Sequence, residues 1–125
     1  MSRPVTLSDI EWKILKLLWK KGVLSVREVW QQLYPDGEKA YTTVQTYMDR
    51  MVEKGYLRKE KIGLANFYQS VVEKQSLVEE ATERLVTRAF DGSFGRLAAF
   101  LLDSDNLSEE DLKIIKQMIA KKEKE

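Results

Sequence analysis

Tyr41-Thr42-Thr43-Val44-Gln45-Thr46-Tyr47-Met48-Asp49-Arg50-Met51-Val52-Glu53-Lys54-Gly55, read with the Tyr56-Leu57-Arg58-Lys59-Glu60-Lys61 that follows, decides the fold. Val44, Tyr47, Met48, Met51 and Val52 recur at i, i+3, i+4, i+7 and i+8, the signature of a helix with one buried face. The spacing predicts a helix over Tyr41 to Lys54, and Gly55 suits the left-handed residue that ends it. The other face carries Thr42, Gln45, Thr46 and Asp49, flanked by Thr43 and Arg50, and long Glu/Lys pairs are missing from its middle. Two strand-like runs follow, Tyr56 to Lys61 and Ala65 to Val71, on either side of a turn at Ile62-Gly63-Leu64.

Upstream, Ser8 caps a helix predicted to reach Lys21, with Asp9 and Glu11 at its positive end and Gly22 after it. Its apolar stripe is Leu7, Ile10, Ile14, Leu17 and Leu18, widened by Trp12, Leu15 and Trp19. Ser25 with Glu28 reads as a capping box for a second helix that buries Val26, Val29, Trp30 and Leu33. Three helices and a hairpin in this order imply a winged helix-turn-helix. The fold class is therefore mainly α with a small antiparallel β-hairpin. From Glu73 onward only helical patterns occur, interrupted near Asp91-Gly92-Ser93 and Asp103-Ser104-Asp105-Asn106. The expected organisation is a winged-helix DNA-binding domain at 1–72 and a helical dimerisation region at 73–125.

Composition narrows the chemistry. The chain of 125 residues contains neither cysteine nor histidine. Disulfides, thiolate metal sites and Ser-His or Cys-His nucleophile pairs are thereby excluded. With no glycine-rich phosphate loop and no convincing carboxylate pair, neither an enzyme nor a cofactor or metal site is expected. No apolar run approaches the roughly 20 residues of a membrane span, and no signal-peptide core follows Met1, so a cytoplasmic location is expected. The net charge of +1 conceals an asymmetry. Through Val72 there are 12 Lys/Arg against 8 Asp/Glu, or +4, and the remainder has 9 against 12, or −3. An anionic partner suits the first part only.

A polar helix face is often no more than a solvated surface. Thr42, Thr43, Gln45 and Thr46 are nevertheless short enough to reach base edges in a DNA groove, and Arg50 is placed for a phosphate. Arg58, Lys59 and Lys61 either blunt an exposed strand edge or, as a wing, lie along the backbone of double-stranded DNA. Tyr68 fits a packing role and a phosphate hydrogen bond equally well. The downstream stripes, through Leu77, Leu85, Leu97, Leu101, Ile115 and Ile119, either pack back on the core of the same chain or meet a second chain. Being too small for an independent core, they point to a homodimer on a palindromic operator. The competing class is a winged-helix module that binds another protein.

Several stretches resemble the penicillinase and methicillin-resistance repressors, a family that also contains copper-responsive members. They are Leu7-Ser8-Asp9-Ile10-Glu11-Trp12-Lys13-Ile14-Leu15, Leu18-Trp19, Ala40 to Thr46, Arg50 to Leu57, Phe67-Tyr68, Phe90-Asp91-Gly92-Ser93 and Leu107 to Leu112. The resemblance implies an operator-binding repressor whose recognition helix carries Thr42, Thr43, Gln45 and Thr46, with Arg50 after it. It also implies a regulatory protease as partner, because antibiotic-resistance relatives are cut at an Asn-Phe bond. That bond falls here on Ala99-Phe100, where the Phe is kept and the Asn is not. The alternative leaves Ala99 and Phe100 as ordinary helix residues, and the missing Asn favours it. Two further departures stand out. Leu64 follows the wing glycine where many relatives have Arg, and the cysteine-rich tail of the copper-responsive members is absent.

Overall fold

Serine caps set the helix starts in a computed structural model of the chain, which describes residues 6–125. Ser8 and Glu11 form a capping box at the start of α1 (Asp9–Lys21), and Ser25 and Glu28 form another at α2 (Val26–Leu33). The third helix, α3 (Tyr41–Glu53), ends where Gly55 adopts φ 88°, a conformation that side-chain-bearing residues rarely take. Strands β2 (Leu57–Ile62) and β3 (Ala65–Ser70) then pair antiparallel, with Ile62 opposite Ala65. This register leaves Gly63-Leu64 as the loop, and a positive φ of 64° at Gly63 supplies what a two-residue Gly-first turn needs.

The sheet has three strands rather than the two of the expected hairpin. A two-residue strand, β1 (Leu24–Ser25), pairs antiparallel with β3, giving the order β1-β3-β2. Two residues carry no alternation to read, and Ser25 serves at once as strand residue and helix cap. Downstream lie α4 (Lys74–Ala89), α5 (Phe94–Asp103) and α6 (Glu109–Glu123), the last opened by a Ser108 capping box. None of the described helices is long and apolar enough to cross a membrane.

The chain divides into two compact units, Met1–Ala81 and Thr82–Glu125. In the first, Ile14, Leu15 and Leu18 of α1, Val29 of α2, and Val44, Met48 and Met51 of α3 pack together, with Tyr56, Leu57 and Tyr68 of the wing closing the core. The Trp19 indole N–H reaches the Ser70 hydroxyl and the Val72 carbonyl, each at 3.0 Å, tying α1 to the end of β3. Leu77 and Val72 belong to the same core. The division therefore falls inside α4, later than the expected boundary at residue 72.

The second unit contains few buried side chains. Val86 is enclosed and Phe90 packs on Phe100 with ring centroids 5.6 Å apart, but neither α5 nor α6 buries a residue fully. Phe94, Leu102, Ile114 and Met118 join Leu85, Leu101 and Ile119 as exposed apolar side chains.

Glu11 is a charged residue inside the first unit, 4% exposed. Its Oε1 accepts from the Ser8 backbone N–H at 2.8 Å, and its Oε2 accepts from Lys54 Nζ at 3.2 Å. One carboxylate thus closes the α1 capping box and holds the C-cap residue of α3. Burial pulls its pKa upward, but the Ser8 hydrogen bonds and Lys54 outweigh burial and the net shift is downward. A folded-state pKa below the unfolded one gives stability that is present above the unfolded value and lost as pH falls through the folded value. Glu11→Gln is accordingly expected to cost about 1–3 kcal/mol at neutral pH. The deficit should shrink in acid below the usual carboxylate range, as read by urea denaturation of both proteins across that window.

Candidate nucleic-acid interface

The polar face of α3 is open, and its neighbours are set by aromatic packing. Trp30 of α2 donates its indole N–H to the Lys39 carbonyl at 2.8 Å and meets the Tyr41 ring edge-on at 5.8 Å. Arg27 lies over the same Tyr41 ring at 5.7 Å. These contacts fix the start of α3 although Ala40 offers no side-chain cap and the first turn holds no acidic residue. Amide N–H groups left without such a cap favour an anion at this end.

Along α3, Thr42, Thr46 and Arg50 are exposed, and Thr43 and Gln45 are half-buried. The Thr46 hydroxyl donates to the Thr42 carbonyl at 2.9 Å, so its proton is engaged in the helix and its lone pairs remain for an incoming donor. A surface depression of about 400 Å³ runs beside this face, bounded by Arg27, Tyr41, Gln45, Leu64, Asn66 and Tyr68 among others. It brings α2, α3 and the wing to one place. Arg27 and Asn66 were not singled out from the sequence, because a lone cation in a capped helix and a lone amide in a strand carry no periodic signal.

The wing places its three cations differently. Arg58 sits opposite Gln69, whose amide oxygen accepts from the guanidinium when turned toward it. Lys61 is exposed and sits opposite Asn66 near the loop. Lys59 donates to Asp49 of α3 at 3.1 Å. Leu64 at the loop is fully exposed.

Tyr68 takes the packing role of the two that its sequence position allowed. It is 1% exposed and its hydroxyl donates to Asp49 Oδ1 at 2.7 Å, so it is not placed to reach a phosphate. Burial, followed by the hydrogen bond to Asp49 and the Asp49 charge, pushes its pKa up and keeps the phenol a donor. Leu77 needs a similar correction. It lies in the core of the first unit and is withdrawn from the set of dimer-forming residues. Of the others, Leu85, Leu101 and Ile119 are exposed, whereas Leu97 and Ile115 are half-buried. Ala99 and Phe100 lie inside α5, and the Phe100 ring rests on Phe90. A protease would have to unwind α5 to reach the bond between them. Among the described residues, no group of His, Cys, Asp or Glu could hold a metal ion.

Known proteins share this arrangement. The penicillinase repressor of Bacillus licheniformis is 24% identical over 119 residues, covering 95% of this chain and 93% of that one. The structure of Bacillus licheniformis BlaI, a monomeric form in complex with the blaP half-operator, superimposes with a TM-score of 0.50 at 27% identity. The match covers 59% of this chain and 89% of the solved one. The YusO protein of Bacillus subtilis matches at a TM-score of 0.55 and 19% identity over 94% of this chain and 75% of its own, a likeness of fold. The model of the penicillinase repressor family extends over residues 7–121, from the stripe of α1 to the last turns of α6. The chain belongs to the penicillinase repressor family.

Proposed function

We infer that the protein is a transcriptional repressor that binds operator DNA as a two-fold dimer, with α3 in the major groove and the wing against the phosphate backbone. One observation carries this reading. Thr42, Gln45 and Thr46 share the open face of a helix that lacks an N-terminal side-chain cap, between Arg50 and a cationic wing. Such short side chains suit a groove floor, and such a helix start suits phosphate. The half-operator complex of the Bacillus licheniformis relative supports it. Dimerisation is supported by the exposed apolar faces of α4, α5 and α6 in a unit too small to enclose its own core. A second copy covers those faces and sets two α3 helices about 10 bp apart, or a multiple of that, on a palindromic site.

Fluorescence anisotropy tests the reading, using the duplex upstream of the protein's own coding region and a random duplex, each over a salt series. The upstream duplex should bind tighter. For both, log affinity should fall linearly with log salt, by about 0.9 per phosphate neutralised. If neither duplex binds, the module is one that recognises protein instead.

A further inference from the structure

Asp49 is a carboxylate in the middle of the open face of α3, four residues after Gln45 and three after Thr46, with Glu53 one turn further on at the helix end. A negative charge there opposes the approach of a polyanion, yet the residue is held firmly in place. Its Oδ1 accepts from the buried Tyr68 hydroxyl at 2.7 Å and from Lys59 Nζ at 3.1 Å. Lys59 and Tyr68 are cross-strand partners on β2 and β3, and the Lys59 ammonium also lies 5.8 Å from the centre of the Tyr68 ring. Tyr68 is fixed in the core, so the exchangeable member of the trio is Lys59, 40% exposed along its side chain. For Lys59 to pair with a phosphate it must leave both the ring and the carboxylate. Asp49 would then face DNA with its charge compensated only by a neutral phenol.

We propose that Asp49 limits sequence-independent attraction to DNA by holding Lys59 back from the phosphate backbone. Arg58, Lys61 and Arg50 then supply the phosphate contacts, and Lys59 serves to join the wing to α3. The inference rests on the DNA-binding reading above. Its physical content is a subtraction. The phosphate contribution acts on every sequence alike, so each cation withheld from it lowers affinity for operator and random DNA by the same factor and leaves a larger share of operator binding to base contacts.

Asp49→Asn tests the proposal, because the Asn carbonyl still accepts from Tyr68 while the charge that holds Lys59 is gone. The full-length chain and the variant would be titrated against a random duplex over a salt series. The variant should bind about eightfold more tightly at 0.1 M salt, with a log–log salt slope steeper by about 0.9. Adding Lys59→Gln to Asp49→Asn should return the slope to that of the unmodified chain. A merely structural strut between helix and wing gives the opposite outcome, weaker binding in Asp49→Asn, and that result or an unchanged slope would overturn the proposal. Should Asp49→Asn fail to show a cooperative melt, the single variants Lys59→Gln and Lys61→Gln decide. Lys61→Gln should flatten the slope by about 0.9 and Lys59→Gln by less than half of that, whereas equal flattening refutes the proposal. Absence of salt-dependent binding by the unmodified chain would overturn the DNA-binding reading itself, a result separate from equal slopes in chains that do bind.

Discussion

A full-length chain carrying Leu101→Glu and Ile119→Glu is expected to sediment as a monomer at micromolar concentration. It should lose operator affinity by roughly 100- to 10,000-fold. In the single chain Leu101 on α5 is 38% exposed and Ile119 on α6 52%, so a carboxylate at either position still reaches water and the single chain keeps its fold. In a two-fold assembly the same two substitutions place four carboxylates against apolar surface, each several kcal/mol unfavourable when unpaired. Linking two half-site contacts raises overall affinity by making the second contact intramolecular, so separating the subunits removes that gain without altering α3. Affinity for an isolated half-site should therefore stay as it was. Were these faces packed against the rest of the same chain instead, the variant would keep its sedimentation coefficient and show a lower melting temperature. A dimeric variant, or one with undiminished operator affinity, would sink the assignment of these helices to assembly.

The limits of sequence reading show clearly along α4. The i, i+4 spacing of Leu77, Ala81, Leu85 and Ala89 suggests one continuous stripe serving one purpose. In the structure Leu77 enters the winged-helix core and Leu85 is exposed, because the helix passes from one compact unit into the next. Periodicity identifies a face but not what covers it. The caps were legible for the opposite reason. Ser8 with Glu11 and Ser25 with Glu28 are local, and each reciprocal pair closes within four residues. The same locality made the Gly55 stop and the Gly63 turn readable.

Contacts between distant residues were not legible. Asp49 with Tyr68, Glu11 with Lys54, and Trp19 with Val72 join residues far apart in the chain, and nothing at either end marks the partner. Tyr68 illustrates the consequence. Its residue type allowed a buried or a DNA-facing role, and only the register that sets Lys59 opposite it and the reach of its hydroxyl to α3 decided between them. The polar face of α3 was easier to read, since a helix buried through Val44, Met48 and Met51 must turn Thr42, Gln45 and Thr46 outward.

That face carries the other large effect. Gln45→Ala and Thr46→Val are each expected to reduce discrimination between operator and random DNA by about 1–3 kcal/mol, some 5- to 150-fold. The Thr46 hydroxyl already donates to the Thr42 carbonyl, so what it offers a base is an acceptor and a methyl group. Valine keeps the methyl and the shape and removes the acceptor, so the loss should fall on sites that present an amine donor at that position. Gln45 carries both a donor and an acceptor, and alanine should relax preference at a single base pair while leaving random-sequence affinity nearly intact. Arg50→Ala serves as the contrast. A phosphate contact carries no sequence information, so operator and random duplex should weaken by the same factor, with the salt slope shallower by about 0.9. The check is a set of operator duplexes with single base-pair changes, titrated with each variant at one salt concentration. If Gln45→Ala and Thr46→Val lower affinity for all duplexes alike, α3 lies along the backbone and some other element reads the bases.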